Sequence, residues 1–141
     1  MASTGSLHLE VISPARVLST LEATAVMVPG ALGYMTILPG HTPMISELSV
    51  GEIRAVEAGG VTHEFFVSGG YVEADNTRVM ILADIIERPK EIDLPRANKA
   101  RDRAKERLKD VQNDLLRAQA ALKRSEARIT FATKHRSADP H

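Results

Sequence analysis

Short runs of alternating apolar and polar residues fill the first ninety positions of the chain. A period of two predicts strands with one buried face. Glycine pairs and the Asp75-Asn76 step separate these runs, and Gly59-Gly60 is typical of a two-residue hairpin turn. We therefore predict eight to ten short strands in an all-β sandwich or barrel. The clearest runs lie at residues 7–12, 25–28, 50–56, 61–68 and 78–82.

The pattern changes near Pro89, beyond which the chain contains no glycine. Apolar residues then recur at steps of three and four, which predicts amphipathic helices with a narrow, alanine-rich stripe. Asp93 and Pro95 fit the start of the first helix as a cap and a first-turn residue. Poor helix formers at 110–114 predict a break, so the residues allow either one long helix or a helical hairpin. The two stripes are Ala97, Ala100, Ala104, Leu108 and Val111, then Leu115, Ala118, Leu122 and Ile129.

These patterns predict a β domain over 1–88, helices over 89–133 and a disordered tail over 134–141. Charge divides along the same line. Residues 1–90 carry 5 basic and 10 acidic side chains, whereas residues 91–141 carry 13 and 8. The net charge of zero therefore hides an acidic half and a basic half, which indicates two surfaces with different partners.

Several classes of function are excluded or disfavoured. The chain has no cysteine, so disulfides, thiolate metal sites and a cysteine nucleophile are excluded. Its five histidines lack metal-ligand spacing, and we predict no metal site. No apolar run is long enough to span a bilayer, and residues 1–6 do not resemble a secretory signal. We expect contact with the membrane only through partner proteins.

Three local features have competing interpretations. The Gly30–Gly33 and Gly69-Gly70 segments lack phosphate-loop spacing and are better explained as strand corners. His41 lies between two prolines without an evident nucleophile or carboxylate partner, so a structural or interface histidine is favoured over a general base. The basic helix from residue 101 to 109 fits a solvated face or a contact with an acidic protein groove. Interleaved acids argue against nucleic acid, and we predict no catalytic residues.

Four segments form a recognisable set in order and spacing: residues 37–43 (ILPGHTP), 67–73 (VSGGYVE), 79–84 (VMILAD) and 92–97 (IDLPRA). They resemble the epsilon subunits of bacterial-type F1Fo ATP synthases, and the match extends from about Leu7 to Phe131. The combination of the first two segments is the most specific signal.

The resemblance implies a β-sandwich followed by an antiparallel helical hairpin. It also implies a non-catalytic place in the central stalk, with the gamma subunit, the ring of c subunits and the alpha/beta catalytic head as partners. The expected location is peripheral, on the cytoplasmic face of the inner membrane. The expected role is to couple the rotor to the head and to inhibit ATP hydrolysis through the helices.

The resemblance also implies two sets of site residues. Some relatives bind ATP as a regulatory ligand on the folded hairpin, and no cofactor is otherwise required. The matching positions here are Glu87, Ile92, Asp93, Arg96, Ala97, Arg103, Arg124 and Arg128. Pro95 inside the motif and a shorter connection between the helices depart from the strongest nucleotide binders. A helix cap and a surface cation are the alternative roles for Asp93 and Arg96.

The second implied set is a rotor interface in the loop after residue 37, expected at the end of the sandwich nearest the c ring. Its members are Leu38, Gly40, His41 and Thr42. Many relatives also present an acidic residue to the ring around positions 31–34, and this chain has none there. A free-standing β-sandwich binding module with a helical oligomerisation tail is the alternative function, and an enzyme is a remote third.

Overall fold

A computed structural model describes residues 5–109 and 115–138. The chain divides into two compact units, one ending at Ile86 and the other beginning at Glu87. This division lies two residues before the expected boundary at 88. The first unit holds the eight strands, in agreement with the predicted number of eight to ten, except that the last residue of β8, Glu87, belongs to the second unit. They are β1 Leu7–Ser13, β2 Arg16–Ala23, β3 Ala25–Gly30, β4 Gly33–Ile37, β5 Met44–Glu47, β6 Gly51–Val56, β7 Thr62–Ala74 and β8 Arg78–Glu87.

The strands of the first unit form a β-sandwich in which the pairing order is β2-β1-β8-β7-β6-β3-β4. The long strand β7 pairs antiparallel with β6 through its first half and with β5 through its last four residues. Strand β1 pairs antiparallel with β2 and parallel with β8. Because β7 has different partners along its length, it joins the two layers that enclose one core.

Alternation along the strands produces that core. Leu7, Leu9 and Val11 of β1 are fully buried, whereas His8 and Glu10 between them are more exposed. The same alternation buries Ile53 and Ala55 of β6. The period-two prediction is therefore confirmed for these strands, with one apolar face on the core and one polar face outward.

Glycines at 69 and 70 lie inside β7, so residues 62–68 and 71–72 belong to one strand. The predicted strand corner is confirmed as a bend within that strand, because β7 leaves β6 after Val67 and joins β5 at Tyr71, and both glycines between have positive φ, 79° and 118°. A Cβ on Gly70 would lie 2.1 Å from the carbonyl oxygen of Leu82. Positive φ and this close approach to β8 both require glycine.

The predicted hairpin at Gly59-Gly60 is confirmed, but its two-residue turn is wrong, because the connection between β6 and β7 runs from Glu57 to Val61. Gly60 has φ of 91° in this turn, where the Glu57 N–H donates to the Val61 carbonyl. At the next turn, Asp75 Oδ1 accepts from the backbone N–H groups of Thr77 and Arg78, each at 2.9 Å. These two bonds stabilise the carboxylate and hold the pKa of Asp75 below its usual value.

The second unit is a helical hairpin made of α1 Leu94–Leu108 and α2 Leu115–Ala138, which follow a short 3-10 turn at Pro89–Glu91. The hairpin prediction is thus confirmed. The residues of the expected break, 110–114, and Val111 of the first stripe lie outside the described part. Mostly small side chains are buried in this unit, including Ala97, Ala104, Ala118 and Ser125.

The predicted disordered tail is wrong for residues 134–138, because α2 continues through Ala138. Residues 134–138 contain no glycine or proline, so the backbone hydrogen bonds of the helix are not interrupted there. Lys134 and His135 are also favourable near the negative end of the helix dipole. Residues 139–141 lie outside the described part. Neither described helix is long and apolar enough to cross a membrane.

Candidate ligand cleft in the helical hairpin

The hairpin contains a cleft of about 590 Å³ between α1 and α2. Seven of the eight residues expected from the resemblance line it. Ile92 is the exception, because its side chain is buried at 2% exposure. The seven are Glu87, Asp93, Arg96, Ala97, Arg103, Arg124 and Arg128. The structure thus brings together side chains as distant in sequence as Glu87 and Arg128, although their role in binding stays a prediction.

The N-terminus of α1 explains how the IDLPRA segment folds locally. Asp93 is the N-cap, and its Oδ1 accepts from the backbone N–H of Arg96 at 3.1 Å. Pro95 sits in the first turn, where no intrahelical N–H donor is required, so this departure from the motif leaves the helix intact. The capping role of Asp93 is therefore confirmed, and the cap places the Arg96 side chain at one end of the cleft.

Positive charge dominates the cleft. It is lined by six cations and three carboxylates, a formal excess of three positive charges. Within the described part of the chain, five of the cations have no carboxylate partner within 4 Å. Their convergence creates a field that favours a multiply charged anion. These five are Arg96, Lys99, Arg103, Arg107 and Arg124.

The sixth cation, Arg128, is already paired. Its Nε lies 2.8 Å from Oε1 of Glu87, and the two side chains are 20% and 29% exposed. The other two carboxylates of the cleft also bind groups of the protein, because Asp93 caps α1 and Glu91 accepts from the Arg88 N–H at 2.7 Å. The acids therefore fix the local structure and leave the remaining cations available for a ligand.

Sequence reasoning missed two cations of the cleft, Lys99 and Arg107. A signal for them existed, because Lys99, Arg103 and Arg107 follow one another at steps of four and share one face of α1. Acidic residues lie between these basic ones in the sequence, so the face was interpreted as mixed in charge. Asp102 pairs with Arg101, and Glu106 pairs with Lys109, so both point to neighbours that do not line the cleft.

Small side chains form the floor of the cleft. Ala97, Ala104 and Ser125 are nearly inaccessible, and the Ser125 hydroxyl donates back to the Ala121 carbonyl at 2.9 Å. That hydroxyl is therefore occupied within its own helix. The cleft thus combines basic side chains along its sides with small, buried side chains at its base. This arrangement suits the binding of a polyphosphate more than covalent chemistry.

The expected rotor residues occupy an ordered loop of the first unit. Gly40 has φ of 89°, and its N–H donates to the Asn76 carbonyl at 2.8 Å. His41 Nδ1 lies 2.6 Å from the Thr42 carbonyl, while Leu38 is half exposed. These bonds fix the backbone of the loop, so Leu38 and Thr42 are presented on a rigid support.

The other segment expected near a rotor partner is the tip of the β3–β4 hairpin. Leu32 at this tip is fully exposed, and Tyr34 is 56% exposed. The tip is braced, because the Tyr34 hydroxyl accepts from the Glu52 N–H and the Ala31 N–H donates to the Glu47 carbonyl. The sequence lacks an acid here, and the structure shows an apolar projection in its place.

Strand β4 separates these two segments. The tip precedes its first residue, Gly33, and the loop follows its last residue, Ile37. Five residues of strand span roughly 16 Å. The hairpin tip and the 38–43 loop therefore lie at opposite ends of β4, which the sequence motifs did not reveal.

Family models match nearly the whole chain. The model described as ATP synthase, Delta/Epsilon chain, beta-sandwich domain matches residues 6–89, and the one described as the long alpha-helix domain of the same chain matches residues 90–133. Both domains are therefore present in the order that the resemblance implied.

Curated relatives match along most of their length. The ATP synthase epsilon chain of Nitratidesulfovibrio vulgaris (strain DP4) is 42% identical over 126 residues, covering 88% of this chain and 93% of that relative. The epsilon chain of Moorella thermoacetica is 43% identical over 129 residues, covering 90% and 96%.

A solved structure supports the fold. A chain in the structure of the Euglena gracilis mitochondrial ATP synthase, OSCP/F1/c-ring, superimposes with a TM-score of 0.78 at 20% identity, covering 90% of this chain and 81% of that one. The eight-stranded sandwich, the hairpin and the matches over both domains show that the chain belongs to the family of ATP synthase delta/epsilon chains.

Proposed function

We propose that this chain is a non-catalytic central-stalk subunit that couples the rotor of a rotary ATP synthase to its catalytic head and restrains ATP hydrolysis through the hairpin. The observation that carries the regulatory part is that most buried positions of the hairpin are small. Ala97, Ala104 and Ala118 each bury little apolar area, and Phe131 is the one large buried side chain in the described part of the two helices, so the free energy that holds the hairpin closed is modest. An arm held by a small free-energy difference can be switched by a partner or a ligand.

ATP is the regulatory ligand that we propose for the cleft. Five cations without carboxylate partners suit a triphosphate, and the volume of about 590 Å³ is in the range of small-molecule sites. Arg96 on α1 and Arg124 on α2 line the same cleft only while the helices lie side by side. A ligand that binds both helices therefore favours the folded hairpin. No separate cofactor is proposed.

The proposed partners are the gamma subunit, the c ring and, through the hairpin, the alpha/beta head. An exposed apolar row supports a protein partner for the sandwich, since Val17 and Leu82 flank Ile12 on paired strands and both are exposed. Glu10 lies next to this row on β1 and pairs with Arg78 at 3.5 Å, so the row fits a partner that presents apolar side chains. The proposed location is peripheral, on the cytoplasmic face of the cell membrane, with attachment through these partner proteins. We propose no nucleic-acid partner.

Copurification from the organism's own membranes tests the assignment. The tagged chain is expected to recover gamma and c subunits in stoichiometric amounts. The alternative, a free-standing binding module with a helical oligomerisation tail, predicts self-association and no rotor subunits. Recovery of oligomers of this chain alone would overturn the proposed function.

A further inference from the structure

The ion pair between Glu87 and Arg128 connects two distant parts of the hairpin unit. Glu87 precedes the 3-10 turn, whereas Arg128 lies in the middle of α2. Each side chain is more than two-thirds buried. The Glu106–Lys109 pair on α1, by comparison, joins neighbours in sequence that are both 74% exposed. Of these two pairs, only Glu87–Arg128 can influence how the segments of the unit pack.

Partial burial strengthens the Coulomb attraction of this pair relative to that of an exposed pair, because water screens it less, while desolvation of the two groups offsets part of the gain. Partial burial also raises the free-energy cost of removing one partner, since without Glu87 the guanidinium of Arg128 stays partly desolvated and loses this partner. Besides this pair, the same cleft is lined by five cations and by two carboxylates, those of Glu91 and Asp93. Cations outnumber acids there, so Glu87 also reduces repulsion among the basic groups around Arg128.

The segment between Glu87 and α1 is itself well ordered. The 3-10 turn packs against α2, and Ile92 after it is buried. Bonds within the turn connect Glu91 to the Arg88 N–H and the Ile92 N–H to the Pro89 carbonyl. Fixing Glu87 on Arg128 thus holds the whole entry segment, and with it the start of α1, against α2.

We propose that the Glu87–Arg128 pair is a latch that keeps the hairpin closed when the cleft is empty. In this role Glu87 is a positioning residue, which orients Arg128 toward the cleft and does not itself contact the ligand. The latch deepens the proposed function, because it adds a ligand-independent contribution to the closed state that a bound polyphosphate then increases. Its test in the empty cleft does not depend on the identity of that ligand.

Hydrogen exchange of the full chain without nucleotide measures the latch, because exchange in the helices reports how often the hairpin opens. Glu87→Gln and Arg128→Gln are each expected to speed exchange in α1 and α2 by about fivefold, a typical effect for a pair of this strength. The double variant is expected to exchange no faster than either single variant, since the pair is lost only once. Glu106→Gln is the matched control and is expected to leave exchange unchanged.

A charge swap separates closure from ligand binding. Glu87→Arg combined with Arg128→Glu is expected to restore slow exchange, because the ion pair re-forms with reversed polarity. Two results together would overturn the latch. The exchange effects of the two single variants would add in the double variant, and the charge-swapped variant would exchange as fast as the single variants.

Isothermal titration with ATP provides the second measurement. Glu87→Gln is expected to raise the ATP dissociation constant by no more than the factor by which it speeds exchange in the empty hairpin. Loss of binding with unchanged exchange would make Glu87 a ligand contact and refute the latch. The opposite result is also informative. If the exchange effects of Glu87→Gln and Arg128→Gln are not additive but the chain binds no ATP, the latch is supported and the nucleotide proposal is refuted.

Discussion

At the scale of single residues, Arg124 is the sharpest probe of the proposed ligand. It lines the cleft and has no carboxylate partner in the described part of the chain, whereas neighbouring Lys123 is exposed and does not line the cleft. Arg124→Ala is expected to weaken ATP binding about 10- to 100-fold, since a charge-assisted hydrogen bond contributes about 1.5–3 kcal/mol. Isothermal titration of the full chain measures this.

Lys123→Ala is the control, because it removes the same charge one residue away. It is expected to change the ATP dissociation constant less than twofold. Equal losses in both variants would indicate a diffuse electrostatic effect, and no loss in Arg124→Ala would refute the site.

Sequence reasoning succeeded for the residues of the cleft wherever a local rule applied. Asp93 was predictable as a cap because side-chain chemistry and spacing determine capping. Ile92 was not separable from its neighbours, because a motif match says nothing about which side chain points inward. The need for glycine at position 70 depends on the Leu82 carbonyl of the next strand, a long-range contact that composition cannot reveal.

At the scale of elements, β4 separates the two expected rotor contacts. A rigid sandwich with Leu32 at one end and the 38–43 loop at the other is expected to engage different rotor subunits with each. Because the chain has no cysteine, single Leu32→Cys and His41→Cys variants can be crosslinked cleanly in the assembled complex. Adducts with different subunits are expected, one with the c ring and the other with gamma.

The subunit captured by His41→Cys identifies the end that faces the ring, and the placement of the 38–43 loop nearest the ring stays a prediction until then. Thr62→Cys, on the exposed end of β7, serves as a reference position. Adducts of positions 32 and 41 with one and the same subunit would contradict the two-ended arrangement.

Helix and strand types were predictable because the periods of 2 and 3.6 differ clearly on either side of Pro89. The choice between one long helix and a hairpin was not predictable. It depends on whether the two alanine stripes pack against each other, and the residues between them are only poor helix formers, which does not require a turn. Likewise, nothing local in the 31–34 and 38–43 segments indicates that β4 places them at opposite ends.

At the scale of the whole molecule, the two compact units predict separable roles. The first unit has its own core, so removal of residues 89–141 is expected to leave it folded and assembled on the rotor. If the hairpin is the inhibitory arm that we propose, its removal is then expected to raise ATP hydrolysis by the assembled enzyme severalfold. Steady-state hydrolysis with the truncated and full-length chains measures this.

Removal of only residues 139–141 is the control, because it leaves both described helices whole, and it is expected to keep hydrolysis at the intact rate. Equal rates for the long truncation and the intact chain at every ATP concentration would show that the arm does not inhibit.

The opposite placement of tip and loop has a mechanical consequence. A load that enters the sandwich at Leu32 and leaves at the 38–43 loop runs parallel to β4 and its antiparallel neighbour β3. The covalent backbone of β4 itself connects the two points, and the hydrogen bonds to β3 hold that backbone extended. The distance between the two candidate contacts is thus expected to change little under such a load.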